Sequence, residues 1–287
     1  MPESTRQKFR AMLKPGAALI LPGVANALAA RVVADCGFGA AYVTGAGIAN
    51  TFLGIPDNGL VTLSELTNHV AAIREVFPGP LMVDADTGFG NALNMRRTIQ
   101  VLERAGADAI QIEDQVFPKR CGHFEGKEVV PVAEMVAKIK AAVDARTDPD
   151  LLIVARTDAI AVEGFAAAMD RANAFREAGA DVGFVEAPLN EEQMAAIGKQ
   201  PWPQLANIVI GGKTPERSNE EMKKLGFAGV LYANTALQAA LFGMQRALSH
   251  LHDNGRMGDS TGMLTGFAER QRLVDIKSFQ DMERKYK

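Results

Sequence analysis

Short apolar runs recur along the whole chain, and each is followed by a stretch whose apolar positions return every three or four residues. The first pattern predicts buried β-strands and the second amphipathic helices, so the chain reads as a series of βα units. The strands are expected at 18–21, 40–43, 81–84, 109–113, 151–155, 183–186, 207–210 and 230–232. Eight buried parallel strands alternating with helices predict a closed (β/α)8 TIM barrel, an α/β fold. Helices are expected at 91–105, with Leu93, Ile99 and Leu102 on one side, and at 132–144, with Val132, Met135, Val136 and Ile139 inward.

A weak internal repeat supports this reading. Glu103-Arg104-Ala105-Gly106-Ala107-Asp108 leads into the fourth strand, and Arg176-Glu177-Ala178-Gly179-Ala180-Asp181 leads into the sixth. Gly37 and Gly226 precede the second and eighth strands in the same way. A glycine there lets a helix end with positive φ before the chain re-enters the sheet. Two helical stretches follow the last strand, at 236–251 and 265–285. They predict a single barrel domain over 1–287 with 236–287 as a C-terminal helical extension, which either caps the barrel or packs on a neighbouring subunit.

At 287 residues the chain suits one barrel of this type. Apolar residues make up 47% and charged residues 23%, which excludes disorder and fibrous repeats. A net charge of −3 without any block of like charge argues against nucleic-acid or membrane partners, and no apolar run reaches the length of a membrane span. The segment 1–14 is polar and mixed in charge rather than signal-like, so the cytoplasm is the expected location. Cys36 and Cys121 are both expected as thiols, Cys36 buried at a helix end. His69, His250 and His252 are expected in solvated or packing roles. Gly88-Phe89-Gly90 and Gly212-Lys213-Thr214 lack the spacing of nucleotide-binding loops.

Chemistry in such a barrel collects at the C-terminal ends of the strands, and the acids collect there too. Strand three ends in Asp84-Ala85-Asp86-Thr87-Gly88-Phe89-Gly90, strand four in Glu113-Asp114, strand five in Arg156-Thr157-Asp158 and strand six in Glu186. Asp84 and Asp86 share one strand face and Glu113 can join them from the neighbouring strand. A hard divalent cation is the natural partner, and Mg2+ would take one or two carboxylates directly and the others through water. After strand four comes a long loop with Lys119, Arg120, Cys121, Gly122 and His123. Its cations favour the Cys121 thiolate, and its glycines suit a lid.

Three motifs carry a family resemblance: Lys119-Arg120-Cys121-Gly122-His123, Asp84-Ala85-Asp86-Thr87-Gly88-Phe89-Gly90 and Ile112-Glu113-Asp114-Gln115. The chain resembles the isocitrate lyase and phosphoenolpyruvate mutase superfamily, and its loop is similar to that of the 2-methylisocitrate and 2,3-dimethylmalate lyase branch. The resemblance implies a homotetramer with the last helix exchanged between subunits. It also implies one Mg2+, with Mn2+ as a substitute, held directly by Asp86 and through water by Asp57, Asp84 and Glu113. By the same carry-over Tyr42, Thr44, Gly45 and Ala46 cradle the carboxylate of a 2-oxo acid product and Arg156 binds its oxygens, while Lys119, Gly122, His123, Glu186 and Asn207 complete the pocket. Three places depart from the family pattern: Thr44-Gly45-Ala46, Ile210 before Gly211, and Tyr232-Ala233-Asn234-Thr235.

The implied activity is metal-dependent carbon–carbon cleavage of a small 2-hydroxy di- or tricarboxylate, an alkyl-malate or 2-methylisocitrate-like acid, to pyruvate or another 2-oxo acid plus a carboxylic acid. In it Cys121 protonates the leaving carbanion, and Tyr42 is a candidate for the base. Two other activities on the same barrel stay open: oxaloacetate decarboxylation or hydrolysis, and a carboxyphosphonoenolpyruvate mutase. A catalytically silent binding protein is disfavoured by the complete acid set.

Overall fold

Eight strands pair with their neighbours in parallel, and the last closes onto the first, so the order is β1 to β8 in a closed barrel. In this computed structural model, which describes residues 3–120, 126–258 and 262–287, the strands are β1 (Leu19–Val24), β2 (Ala41–Val43), β3 (Leu81–Asp84), β4 (Ala109–Glu113), β5 (Leu152–Thr157), β6 (Val182–Val185), β7 (Gln204–Asn207) and β8 (Gly229–Tyr232). Alternation along each strand divides the molecule into two apolar layers. Val83, Ile110, Ile112, Ile153, Val185 and Val230 point outward into the helix layer, while Leu21, Met82, Val154, Phe184, Leu205 and Leu231 fill the barrel interior. The N-terminal helix Thr5–Met12 adds Phe9, and Leu13 follows it, to that interior cluster, closing the end of the barrel where the strands begin.

The four glycines of the repeated turns adopt the left-handed conformation, with φ of 85° at Gly37, 103° at Gly106, 106° at Gly179 and 100° at Gly226. The buried aspartate after the first repeat explains the rest of the motif. Asp108 accepts hydrogen bonds from Arg74 (2.7 Å), the Leu81 backbone N–H (2.8 Å) and the Thr5 hydroxyl (2.6 Å), tying the N-terminal helix to β3. Asp181 does the same in the second copy, accepting from Arg146 (2.7 Å) and the Ile153 N–H (2.9 Å).

Four expectations need correction. The seventh strand lies at Gln204–Asn207 rather than 207–210. Its register is fixed by Gly183↔Gln204 on one side and Asn207↔Leu231 on the other, so Val209 and Ile210 fall in the loop beyond. The polar Gln204 at the strand's start hides it from an apolar count. On the helix Ala92–Ala105, Leu93 is 76% exposed and the buried stripe runs instead through Met95, Ile99 and Leu102. The expected helix at 265–285 is two, Phe267–Leu273 and Ile276–Tyr286, because Asp275 turns left-handed at φ 60° and accepts a hydrogen bond from Ser278. Cys36 is exposed: it sits at the C-cap of Ala27–Asp35, past the buried Ala30 and Val33.

Beyond β8 the helix Thr235–Asn254 has no buried residue, and Leu241, Phe242, Met244, Leu248 and Leu251 stand exposed along it. Among the described residues no helix is long and apolar enough to cross a membrane.

Candidate active site

Period-two alternation that fills the barrel with apolar side chains also aims the last inward residue of each strand into the mouth. Tyr42, Asp84, Glu113, Arg156 and Asn207 occupy those positions, and Glu186 follows β6 directly. Tyr42, Asp84, Arg156 and Asn207 line a cavity there, together with Thr44, Ala46, Asp57 and Lys119 and with the apolar Phe184, Val209, Leu231 and Ala233.

The loop after β3 is built to present Asp86. Asp86 (φ 48°) and Phe89 (φ 60°) are left-handed, as are Gly88 and Gly90, so the chain reverses sharply and returns the carboxylate toward the cavity. A Cβ placed on Gly45, in the helical turn after β2, would meet Asp84 Oδ2 at 3.2 Å and Asp86 Oδ1 at 3.3 Å. The two carboxylates therefore converge on one point, which only the missing side chain of Gly45 leaves open. Asp84 is held by the other oxygen: Gln111 Nε2 donates to Oδ1 at 3.1 Å, and Tyr42 Oη donates to Gln111 Oε1 at 3.1 Å.

Burial pushes the Asp86 carboxyl up to about 7, Lys119 opposing and Asp84 and Asp57 adding to it. Burial likewise raises Glu113 well above the usual range, Arg156 being its main counterweight. One cation reaches into this cluster from the loop after β4: Lys119 Nζ lies 2.6 Å from Asp57 and 2.9 Å from Asp86 Oδ1. Its ammonium stays charged despite burial because Asp86, Glu113 and Asp57 surround it. Burial, with Asp84 beside it, raises the Tyr42 phenol well above its ordinary value, and its hydroxyl donates to Gln111.

A divalent ion fits these residues. The donors are all carboxylate oxygens, as a hard ion prefers. Asp86 Oδ1 and Glu113 Oε1 are buried without a hydrogen-bond partner, the Lys119 contact to Asp86 being an ion pair outside hydrogen-bond geometry. Among the described residues no three acidic, His or Cys side chains gather at ligating distance.

On the other side of the mouth, Arg156 Nε and Nη2 donate to Asp158 at 2.8 and 3.0 Å, Nε is 3.3 Å from Glu113, and the guanidinium lies 5.2 Å from the Phe184 ring centroid. Asn207 Nδ2 donates to Glu186 at 3.3 Å. The helical turn Gly45–Ile48 is capped by Thr44, whose hydroxyl accepts from the Gly47 N–H at 3.2 Å, and continues into a π-helical turn, Ala49–Leu53.

The residues 9–252 match the phosphoenolpyruvate phosphomutase family. The chain belongs to that family. It is 40% identical to 2,3-dimethylmalate lyase of Eubacterium barkeri over 99% of this chain and 98% of that protein. It is 43% identical to 2-methylisocitrate lyase of Salmonella typhimurium over 97% and 95%. The crystal structure of a 2,3-dimethylmalate lyase superposes with a TM-score of 0.93 at 34% identity, covering 99% of this chain and 95% of the other.

Of the residues expected at the site, Tyr42, Thr44, Ala46, Asp57, Asp84, Lys119, Arg156 and Asn207 line the one cavity. Gly45 and Asp86 meet beside it, and Glu113 and Glu186 reach Arg156. Cys121, Gly122 and His123 lie outside the described residues. His69 packs, its ring on Phe52 and its Nδ1 3.1 Å from the Ala25 carbonyl. Sequence reasoning missed Gln111 and Phe184. Each stands two residues before a recognised acid on the same strand face, and that spacing would have found them.

Proposed function

We propose that this family member is a Mg2+-dependent carbon–carbon lyase that cleaves an alkylated 2-hydroxydicarboxylate between C2 and C3. The products are pyruvate or another 2-oxo acid and a carboxylic acid. The observation that carries the reading is the convergence of Asp84 and Asp86 over Gly45, beside a cavity that Arg156 lines together with apolar side chains. Charged oxygens suit the carboxylates and hydroxyl of a malate, and Phe184, Val209 and Leu231 suit its alkyl substituent.

Asp86 would hold the ion directly, with Asp84, Asp57 and Glu113 holding its waters, and Mg2+ when bound would draw charge from the substrate's carboxylate and C2 oxygen. Arg156, held side-on by Asp158, presents its remaining N–H groups to the same oxygens. Thr44 and Ala46 line the wall against the carboxylate. The C2 hydroxyl gives its proton to solvent water, C2 becomes a carbonyl, and the C2–C3 bonding pair passes to C3. That carbanion, delocalised into its own carboxylate, takes the proton of the Cys121 thiol. Lys119, two residues before Cys121, is held on the acids by its ion pairs with Asp57 and Asp86. A thiol acid needs a reducing compartment, which supports the cytoplasm as its place of work. The exposed apolar side chains of Thr235–Asn254 support burial against other copies in a homotetramer.

The test is 2-oxo acid release from 2,3-dimethylmalate, 2-methylisocitrate, isocitrate, oxaloacetate and phosphonopyruvate, with and without Mg2+. Metal-dependent cleavage of an alkylated malate is the expected result. Activity confined to oxaloacetate or phosphonopyruvate would overturn the reading.

A further inference from the structure

The loop that carries Cys121 is pinned at both stems. Its outgoing and returning strands meet at an isolated bridge, Gln115↔Val129, reinforced by the Val116 N–H donating to the Glu128 carbonyl at 2.9 Å. The Gln115 amide then grips Arg120 twice, accepting from its N–H at 2.9 Å and donating to its carbonyl at 2.9 Å. From the first stem Lys119 descends to Asp57 and Asp86. From the second stem a buried lysine descends on the opposite side: Lys127 Nζ donates to Asp158 Oδ1 at 3.0 Å, with 2% of its side chain exposed and none of the aspartate's.

Asp158 is the group that fixes Arg156. One carboxylate oxygen takes Arg156 Nε at 2.8 Å, and the other takes both Arg156 Nη2 at 3.0 Å and Lys127. The aspartate is anchored from behind. Its backbone N–H donates to Asp114 at 3.0 Å, and Asp114 also accepts from the Thr157 hydroxyl (2.7 Å) and Arg171 (3.3 Å). The chain of contacts thus runs from the barrel wall through Asp158 to the loop stem. Burying a lysine is costly unless it is paired, and the ion pair with Asp158 offsets part of that cost for Lys127.

We propose that Lys127 and Asp158 are positioning residues for this reaction: they tie the returning stem, residues 126–130, to Arg156, so that the placement of that stem and the alignment of the guanidinium depend on each other. The proposal rests on the lyase reading for its kinetic consequence, and on the structure alone for its conformational one.

The decisive variants are Lys127→Met, which keeps the stem's length and removes the charge, Lys127→Arg as the conservative rescue, and Asp158→Asn. Lys127→Met is expected to lower kcat by about 10- to 100-fold, the usual effect of removing a group that orients a catalytic one, with KM shifting less than about threefold. Lys127→Arg should recover most of the loss, and Asp158→Asn should match Lys127→Met. Independently of turnover, hydrogen exchange over 115–130 should quicken in Lys127→Met while the barrel strands stay protected. Unchanged kcat, or exchange that quickens across the strands as well, would overturn the coupling. If the wild-type protein cleaves nothing in the substrate panel, the lyase reading fails while the exchange result still decides the link.

Discussion

Replacing Gly45 with alanine adds one methyl group at the point where the two carboxylates meet. The new carbon would stand 3.2 Å from Asp84 Oδ2 and 3.3 Å from Asp86 Oδ1, a few tenths of an ångström inside ordinary contact. Backbone strain does not enter, because Gly45 begins the helical turn Gly45–Ile48 in a conformation open to any residue. The cost therefore falls on the carboxylates. Asp84 cannot retreat without releasing the hydrogen bonds its Oδ1 accepts from Gln111 and from the Asp86 N–H. A displaced orienting group commonly costs about 10- to 100-fold in metal affinity, which is about 1.4 to 2.8 kcal/mol. Titration calorimetry with Mg2+ should show that weakening while the melting temperature holds. Gly47→Ala is the contrast: its Cβ would meet Thr44 Cγ2 at 2.5 Å and Ala25 Cβ at 3.1 Å, and no carboxylate. It should lower the melting temperature and leave Mg2+ affinity within about threefold. Equal Mg2+ affinity in Gly45→Ala and wild type would refute the placement of the ion over this residue.

Four further outcomes follow from the same geometry. Cys121→Ser should abolish turnover while oxalate, a product-like dianion, still binds with little loss, measured by competition; a variant that turns over normally removes the thiol from the reaction. Asp108→Ala strands Arg74 and the Leu81 N–H at the closed end of the barrel and should cost about 3 kcal/mol in urea unfolding; a loss under about 1 kcal/mol would mean that the pair behaves as an exposed one. Burial opposes ionisation of Asp158, but Arg156 and Lys127 outweigh it and hold the group down to about 2. Its contribution to stability is thus complete above its ordinary value and fades as pH falls toward 2, and Asp158→Asn should flatten that part of the acid-unfolding curve. Sedimentation should find a homotetramer, and Phe242→Glu with Leu248→Glu on the exposed face should shift it to smaller species; a monomeric wild type would contradict the assembly.

Seven of the eight predicted apolar runs fall on strands, and with helical spacing between them they were enough to define the barrel, because burial on both faces makes parallel strands continuously apolar and their order in such a fold follows the chain. The glycines at 37, 106, 179 and 226 were legible for a similarly local reason, each ending a helix one turn before a strand. The acids at 84, 86, 113 and 186 were legible because strand ends in a barrel share one mouth. The register of β7 was not, since partner strands and not local hydrophobicity place Gln204 opposite Gly183. Nor was the break at Asp275, where the backbone turns left-handed, or the exposure of Cys36, which stands at the C-cap past the buried residues of its helix. Above all, the partners of each charge are tertiary facts. Lys119 and Lys127 stand close in sequence on one loop, yet one descends to Asp57 and Asp86 and the other to Asp158. Sequence spacing carries alternation, caps and turns because these act over a few residues. Which buried cation meets which carboxylate depends on side chains brought together across the barrel, where desolvation makes each pairing decisive.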